Sequence, residues 1–399
     1  MKREQISAML NSAIGEVVGE SAIVNEDLSN IVTIGSAIPT DSLDAIFNKI
    51  INKVGNTIIE SKTYTGNPLG ILMSDWEYGS ILEKIRIDIP ETENNDTWSL
   101  VKGTSYDCFK FSPPTVRAKY YNKAVTFEIA MSFTIEQMKD SFRNADTATG
   151  FWNAVENAIR TSMTANTEML EYRAITNMTA LKIHKNNNVI NLLSEYKTDT
   201  GISDLTSKKA LNNPEFLRYC AKKISMYSDY IKSLSMLYND DGYITHTADN
   251  DKRLILLSDF AKSIEYNLYS TTFNEEFVKI GNYTTVPYWQ GSGTARNFEN
   301  NSKIDLTISD LNGEKQTVQK SGIVGVLFDV NGCCVCRKNY RVLSMPVPKG
   351  EFINYWYKFD AMYMNDTACN FIVFTIEDSV WWMLYFIIIS LIKDSLLKI

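Results

Sequence analysis

The sequence feature that most constrains the fold is an alternating segment followed by one long helical stretch, between Trp76 and Met178. In the alternating part, odd positions are mostly isoleucine and even positions are mostly charged. The two sets are Ile81, Glu83, Ile85, Ile87 and Ile89, and Leu82, Lys84, Arg86 and Asp88. This period of two predicts a β-strand. A polar loop follows, and strand-like sequence returns over residues 116–121 and 125–133. Two such arms predict a β-ribbon too long to bury both faces in its own domain, which indicates contact with another molecule.

The second part predicts a helix from Thr147 to Asn177, uninterrupted by proline. Its apolar positions share one face, and its charged positions fall elsewhere. The apolar set is Phe151, Val155, Ile159, Met163, Leu170, Ala174 and Met178, and the charged set is Glu156, Arg160, Glu168 and Glu171. Such a helix would span about 45 Å, enough to cross a whole domain. Its methionines and alanines are most simply explained by core packing.

Composition sets the outer limits on function. A chain of 399 residues, with 44% hydrophobic and 22% charged residues, can form two or three compact units. The net charge of −7 argues against a duplex-binding groove, because phosphate contacts need clustered lysine and arginine. The six cysteines lack the spacing of a disulfide scaffold, and the first residues lack a secretory apolar region. We therefore expect free thiols in a reducing compartment.

Residues 1–60 predict two amphipathic helical pieces. The first runs from Ile6 to Val17, and the second follows a cap at Asp41 and continues to Val54. Both an arm that packs on a neighbouring molecule and an ordinary first core helix explain this pattern, and the arm is favoured.

The rest of the chain predicts an inserted lobe and a closing set of strands. Residues 194–300 read as a compact α/β lobe, including a helix that opens at Pro214. Asn312-Gly313 predicts the turn of a surface hairpin that looks like an appendage. From Gly322 to Thr375 several strands are expected, with a second hairpin at 330–332 and an aromatic-rich strand at 353–359.

Candidate catalytic and metal-binding residues are few, and no catalytic, cofactor or metal site is predicted. His184 and His246 have polar neighbours, which favours a surface position, and no nucleophile elbow accompanies them. Cys333, Cys334 and Cys336 follow a turn, but zinc needs four ligands, and strand alternation puts Cys333 on the opposite face. They are best explained as small buried strand residues.

The segment 380–392 is thirteen nearly uninterrupted apolar residues. A membrane-spanning helix needs about 20 such residues, so this segment is too short. Three interpretations remain open: a buried or subunit-docking helix, an interfacial membrane element, or a chain end altered relative to its relatives.

Three segments carry a resemblance to a known family. They are Asn67-Pro68-Leu69 ahead of the ribbon, the helix segment 151–159 continuing to Glu171-Tyr172, and residues 325–330 followed by Asn354-Tyr355-Trp356-Tyr357. With the order of elements, they make most of residues 1–376 resemble the Hong Kong 97-type major capsid proteins of tailed phages. More narrowly, the chain looks like the capsid proteins of the small short-tailed Salas-group phages (Picovirinae).

The resemblance implies an α+β fold with an N-terminal arm, an extended β-ribbon loop, a long spine helix, and peripheral and axial domains. The implied division is 1–60 N-terminal arm, 61–133 extended loop, 134–190 peripheral-domain spine helix, 191–321 axial domain with the surface hairpin, 322–376 peripheral-domain sheet, and 377–399 apolar tail.

The function implied by the resemblance is that of a major capsid protein, not an enzyme, which self-assembles into an icosahedral head around the genome. Its implied partners are copies of itself in pentamers and hexamers, together with scaffolding, portal and head-decoration proteins. Packaged double-stranded DNA is expected to be enclosed without sequence-specific binding, in a virion made in the host cytoplasm. A membrane partner is not expected.

The candidate assembly residues lie in the ribbon and on its return arm. They are Trp76, Tyr78, Ile85, Ile87, Trp98, Tyr120 and Tyr121. Two alternatives stay open: a membrane-associated protein held by residues 380–392, and a soluble enzyme with an unrecognised cysteine or histidine site.

Overall fold

The structure is a computed structural model that describes most of the chain. The described residues are 3–17, 24–37, 45–46, 49, 69–71, 82–90, 101–103, 109, 111–122, 124–141, 145–269, 282–290, 296–309 and 315–378. Trp76, Tyr78, Trp98, most of the predicted helix ending at Val54, and segment 380–392 lie outside them. Within the described residues, helices and sheets are mixed, which confirms the predicted α+β class.

The elements follow in chain order. The helices are α1 (Arg3–Val17), α2 (Ile31–Ala37), α3 (Ile135–Ser141), α4 (Ala145–Lys185), α5 (Leu192–Thr200), α6 (Ser207–Ala210), α7 (Pro214–Tyr230), α8 (Ser258–Tyr269) and α9 (Phe298–Asn301). The strands are β1 (Leu82–Ile87), β2 (Val116–Tyr121), β3 (Ala124–Thr134), β4 (Val189–Asn191), β5 (Lys252–Leu257), β6 (Thr284–Val286), β7 (Ile304–Ser309), β8 (Lys315–Lys320), β9 (Ile323–Asp329), β10 (Cys333–Val347), β11 (Phe352–Asn365) and β12 (Phe371–Thr375). Short 3₁₀ turns occupy Val330–Gly332 and Pro348–Gly350.

The predicted spine helix is α4, and it is longer than its sequence pattern suggested. Its 41 residues span about 61 Å. Its first half packs through Val155 and Ile159 on one cluster, and its second half packs through Leu170 and Met178 on the main core. Glu171, which the sequence pattern places off the apolar stripe, is nevertheless fully buried. Strands β7, β8, β10, β11 and β12 all contact the helix, while Met169, Arg173 and His184 in its second half remain exposed.

The strands of the described ranges form two larger sheets and two separate two-stranded pairs. One sheet has the order β10-β11-β3, and the other has the order β4-β12-β9-β5-β6. The predicted single sheet over 322–376 is therefore wrong, because β9 and β12 join β5 while β10 and β11 join β3. The predicted hairpin at 330–332 is also wrong. Strand β9 already has β5 and β12 on its two sides, so the turn sends the chain into the other sheet instead.

The hairpin predicted around Asn312-Gly313 forms, although its turn lies outside the described residues. Strands β7 and β8 pair antiparallel, from Ile304 opposite Lys320 to Ser309 opposite Lys315. It is not the appendage that its polar sequence suggested. Ile304, Ile308 and Val318 are buried in the main core, and both strands contact α4.

The described part of the predicted N-terminal arm packs within the subunit. Leu10, Ala13 and Ile14 of α1 are buried in the cluster that contains Val155 and Ile159 of α4. For α1 the alternative of an ordinary core helix therefore holds, and the arm assignment for the whole segment stays a prediction. Helix α2 was not predicted, since its stretch reads as a connector.

Asp360 ties the three-stranded sheet together on its outer face. Its carboxylate accepts hydrogen bonds from Thr126 Oγ1 of β3 at 2.7 Å and from Asn339 Nδ2 of β10 at 3.0 Å. It also accepts hydrogen bonds from Nη1 and Nη2 of Arg341, at 3.1 and 3.2 Å. A register shift in β10 between Lys338 and Arg341 brings Asn339 and Arg341 to the same partner. The bonds from Arg341, Thr126 and Asn339 lower the pKa of Asp360 to about 2.

We expect Asp360→Asn to lower the free energy of unfolding by about 1.5 kcal/mol at pH 7, because a charged acceptor of four bonds is lost. Since the folded pKa lies below the ordinary value of about 4, this stabilisation is complete above that value and disappears as the pH falls towards about 2. Urea unfolding at pH 7 and pH 3 measures it. The difference between parent and variant should shrink at pH 3, and an equal difference at both values would contradict the electrostatic origin.

Candidate assembly site

The ribbon is the pair β1–β2, aligned so that Leu82 faces Tyr121 and Ile87 faces Val116. The two faces predicted from the alternation are confirmed. Their orientation is the reverse of an ordinary amphipathic strand: Ile85 and Ile87 are 59% and 63% exposed, while charged residues turn inward. This arrangement is unusual, because isoleucine is normally buried and lysine and arginine are normally exposed. It requires a partner for the buried cations on the inner face and a partner for the exposed isoleucines on the outer face.

On the inner side, three cations of the ribbon converge on the carboxylate of Asp366, which is fully buried. Lys84 Nζ lies 2.8 Å and Arg86 Nη2 lies 2.9 Å from Oδ2, and Lys119 Nζ lies 3.1 Å from Oδ1. Lys84 and Arg86 come from β1 and Lys119 from β2, so both strands are held at one point. The period of two places Lys84 and Arg86 on the same face, and the register places Lys119 opposite Lys84.

Asp366 lies in the turn from β11 to β12, where its geometry is fixed by backbone bonds. Its N–H donates to Gly332 O at 2.8 Å, and its Oδ1 accepts from the N–H of Ala368 at 3.0 Å. Burial alone would raise the pKa of this carboxyl, but Lys84, the Ala368 N–H and Lys119 outweigh it and hold the pKa well below its usual range. The group is therefore an anion at neutral pH.

A second set of contacts lies beside this carboxylate, on residues 236–244. Lys119 also pairs with Asp241, whose carboxylate accepts a bond from Thr367 Oγ1 at 2.9 Å. The guanidinium carbons of Arg86 and Arg117 lie 5.6 and 4.7 Å from the ring centre of Tyr243. Between ribbon and loop lies a cleft of about 320 Å³, lined by residues that include Arg86, Ile87, Ile89, Arg117, Met236 and Ile244. The ribbon is thus seated on charged and aromatic side chains of its own subunit.

The root of the ribbon is held by apolar packing. Leu82 and Tyr121 pack against a small cluster of Cys334, Cys336, Met362 and Met364 from β10 and β11. Burial, followed by the neighbouring Asp366, raises the pKa of the Tyr121 hydroxyl. The contacts at the root and at Asp366 together fix the ribbon along the length of β1.

The predicted assembly residues fall into three groups. Ile85, Ile87 and Tyr120 lie on the exposed outer face, with Tyr120 donating to Glu83 Oε1 at 2.9 Å. Tyr121 lies on the inner face and packs against its own subunit, and its role in assembly stays a prediction. Trp76, Tyr78 and Trp98 lie outside the described residues.

Sequence reasoning missed Asp366, Asp241 and Tyr243, which receive the inner face. One signal was available: Lys84 and Arg86 share a strand face, and two cations on a partly buried face require a nearby anion. Nothing in the sequence says which of its many carboxylates that anion is.

The other candidate sites resolve as follows. His184 and His246 are exposed, which confirms their surface position. The five described cysteines are buried free thiols, with Cys333 in the main core and Cys334 and Cys336 on the other side of β10, as the alternation predicted. Among the described residues, no group of three or more His, Cys, Asp or Glu side chains is placed to hold a metal ion. No helix in the described part of the chain has both the length and the apolar character needed to cross a bilayer.

The family follows from the sequence as a whole. The profile of the Phi29-like phage major capsid protein family matches residues 6–375. The chain belongs to this family. It is a shell-forming protein of a phage head, as the sequence predicted, and no curated protein matches it significantly.

A solved phage capsid structure shares the fold of this capsid protein. The capsid structure of Staphylococcus phage Andhra aligns with a TM-score of 0.52 at 12% identity, over 78% of this chain and 85% of that one. A structure of the head fibre and inner core protein gp22 of native bacteriophage P68 aligns with a TM-score of 0.49 at 12% identity, over 76% and 83% of the two chains. The predicted Hong Kong 97-like capsid fold is confirmed.

Proposed function

We propose that this capsid protein binds the next subunit of the shell through the outer face of its ribbon. The observation that carries the proposal is the inverted burial of β1, with Ile85 and Ile87 in water and Lys84 and Arg86 turned inward. Burying the exposed part of each isoleucine is worth about 1 kcal/mol. The sum for one contact is small, but a closed shell repeats the contact for every subunit.

The contact is heterologous, since the ribbon of one subunit meets a different surface of the next. Heterologous contacts that close form rings. We propose that rings of five and six subunits are the units of an icosahedral head. We also propose that the chain is most similar to the capsid proteins of the Salas-group phages. Residues 134–190 and 322–376 would supply most of the peripheral domain and 191–321 the axial domain, with β9 and β12 contributing to the axial sheet.

The proposed setting is the virion, after synthesis in the host cytoplasm. Scaffolding, portal and head-decoration proteins are proposed as further partners. Packaged double-stranded DNA would be enclosed without sequence-specific contacts, which the net charge of −7 supports.

Assembly of the full chain tests the ribbon contact. Ile85→Ser with Ile87→Ser removes about 2 kcal/mol from each contact, roughly a thirtyfold loss of contact affinity. With assembly driven by a crowding polymer, size-exclusion chromatography and negative-stain electron microscopy should show rings or shells for the parent and mainly unassembled subunits for the variant. The melting temperature should stay close to that of the parent, because both side chains are exposed in the subunit.

The matched control is Leu343→Ser with Met345→Ser, a second pair of exposed apolar residues two apart on one strand. It shows how much any loss of exposed apolar surface affects assembly. Normal shells from the Ile85/Ile87 variant would refute the proposed contact.

A further inference from the structure

We infer that Asp366 is a positioning residue for assembly: it anchors both strands of the ribbon to their own subunit and so sets the direction in which the outer face is presented. This inference rests on the proposed function, because it explains how the contacting face reaches its neighbour. It assigns a role to a residue that contacts no other subunit in that proposal.

The first argument is the number of ribbon charges that meet at one group. A two-stranded ribbon is marginally stable alone and takes its direction from what it packs on. In the described part of β1 and β2, Lys84, Arg86 and Lys119 lie within 3.1 Å of the same carboxylate. A single anion therefore fixes both strands and prevents the ribbon from swinging about its apolar root.

The second argument is that the anchor itself cannot move independently. Asp366 follows the last residue of β11 in the three-stranded sheet, and β12 of the five-stranded sheet begins five residues later. Its backbone is bonded to Gly332, which lies in the turn that joins the same two sheets through β9 and β10. The carboxylate thus sits at the junction of both sheets, and the ribbon inherits its direction from the rigid body of the subunit.

The third argument concerns the free energy of association. If the ribbon were mobile, the conformational entropy lost on ordering it would weaken the free energy of association at each contact. An anchored ribbon is already ordered, so this loss does not occur on association. Anchoring by Asp366 therefore strengthens the contact of Ile85 and Ile87 without touching the neighbouring subunit.

Cys369 provides a direct readout of the anchor. Its thiol lies under the ribbon, 2.9 Å from Arg86 Nη2 and 3.5 Å from Lys84 Nζ, and it is 3% exposed. Burial raises the pKa of this thiol to about 11 despite the nearby cations, so it is protonated and slow to react at neutral pH. A ribbon that leaves Asp366 uncovers Cys369, while Cys220 and Cys333 in the main core stay covered.

The test follows maleimide labelling of the full-length unassembled subunit by mass spectrometry of each cysteine. In Asp366→Asn, the side-chain oxygen that accepts from Ala368 is kept and the charge is lost. We expect Cys369 to label roughly tenfold faster and Cys220 and Cys333 to keep the parent rate. Unchanged labelling of Cys369 would overturn the inference.

A second variant separates the ribbon from the turn that carries both Asp366 and Cys369. Lys84→Met with Lys119→Met leaves that turn intact and removes two of the three cations. Faster labelling of Cys369 is again expected, whereas Glu83→Gln, which removes a charge from the outer face, should label as the parent does. Faster labelling in Asp366→Asn but not in the lysine variant would mean that the carboxylate only organises its own turn, which would overturn the inference.

The same variants are then assembled. The inference predicts fewer shells from both Asp366→Asn and the lysine variant. Faster labelling of Cys369 together with normal assembly would show that Asp366 holds the ribbon, but it would refute a role of this anchor in assembly. Loss of assembly in the Ile85/Ile87 variant together with unchanged labelling in Asp366→Asn would uphold the proposed ribbon contact and refute the anchor.

Discussion

Replacing Asp240 with alanine is expected to destabilise the subunit by about 3–5 kcal/mol, because a buried cation would lose its carboxylate. Lys182 on α4 is fully buried and pairs with Asp240, whose side chain is 2% exposed. Asp240 also accepts from Asn187 Nδ2 at 2.8 Å and lies 3.4 Å from Lys185 Nζ. Burial lowers the pKa of Lys182 even with Asp240 beside it, so removing Asp240 would leave the charged form still less favourable.

Denaturant unfolding of the full-length unassembled subunit measures this loss. Adding Lys182→Met to Asp240→Ala should restore at least about half of it, since no uncompensated charge remains in the interior. Asp229→Ala is the matched control, because Asp229 forms an exposed pair with Lys232 and should change stability by less than about 1 kcal/mol. Equal losses in the single and double variants would place the effect in the other contacts of Asp240.

The ribbon shows what local sequence can and cannot predict. A period of two is a property of neighbouring residues, so the strand and the membership of its two faces followed from the sequence. Which face turns inward depends on Asp366, which is about 280 residues away from Lys84 and Arg86. Since apolar residues usually turn inward, the ordinary rule alone would have placed Ile85 and Ile87 in the core.

The sheets show the same limit at the level of topology. The buried run of β9 predicted a strand, and the turn residues after it predicted a hairpin. The pairing was decided by β5, more than 60 residues earlier, and by β12, more than 40 residues later, which occupy both sides of β9. The helical period of α4 likewise predicted its buried stripe, but the burial of Glu171 on another face follows from how many strands contact the helix.

Gly322→Ala is expected to lower the free energy of unfolding by about 3 kcal/mol or more. Gly322 lies between β8 and β9 with a φ of 81°, in the left-handed region that glycine adopts without strain. A methyl group at this position would overlap the carbonyl oxygen of Ile376. That oxygen cannot easily withdraw, because the Ile376 N–H donates to Gly322 O at 2.7 Å and ties the end of β12 to the start of β9. The substitution therefore strains the backbone and forces these two strand ends apart.

Gly201→Ala separates the two effects. Gly201 ends α5 with a φ of 73°, and nothing lies within 4 Å of the position that a Cβ would occupy. This control should lose only about 1–2 kcal/mol, the cost of the left-handed backbone for alanine. The additional loss in Gly322→Ala, measured by denaturant unfolding of the full-length subunit, is then the cost of separating β12 from β9. Equal losses in the two variants would mean that the end of β12 moves away from β9 without a measurable loss of stability.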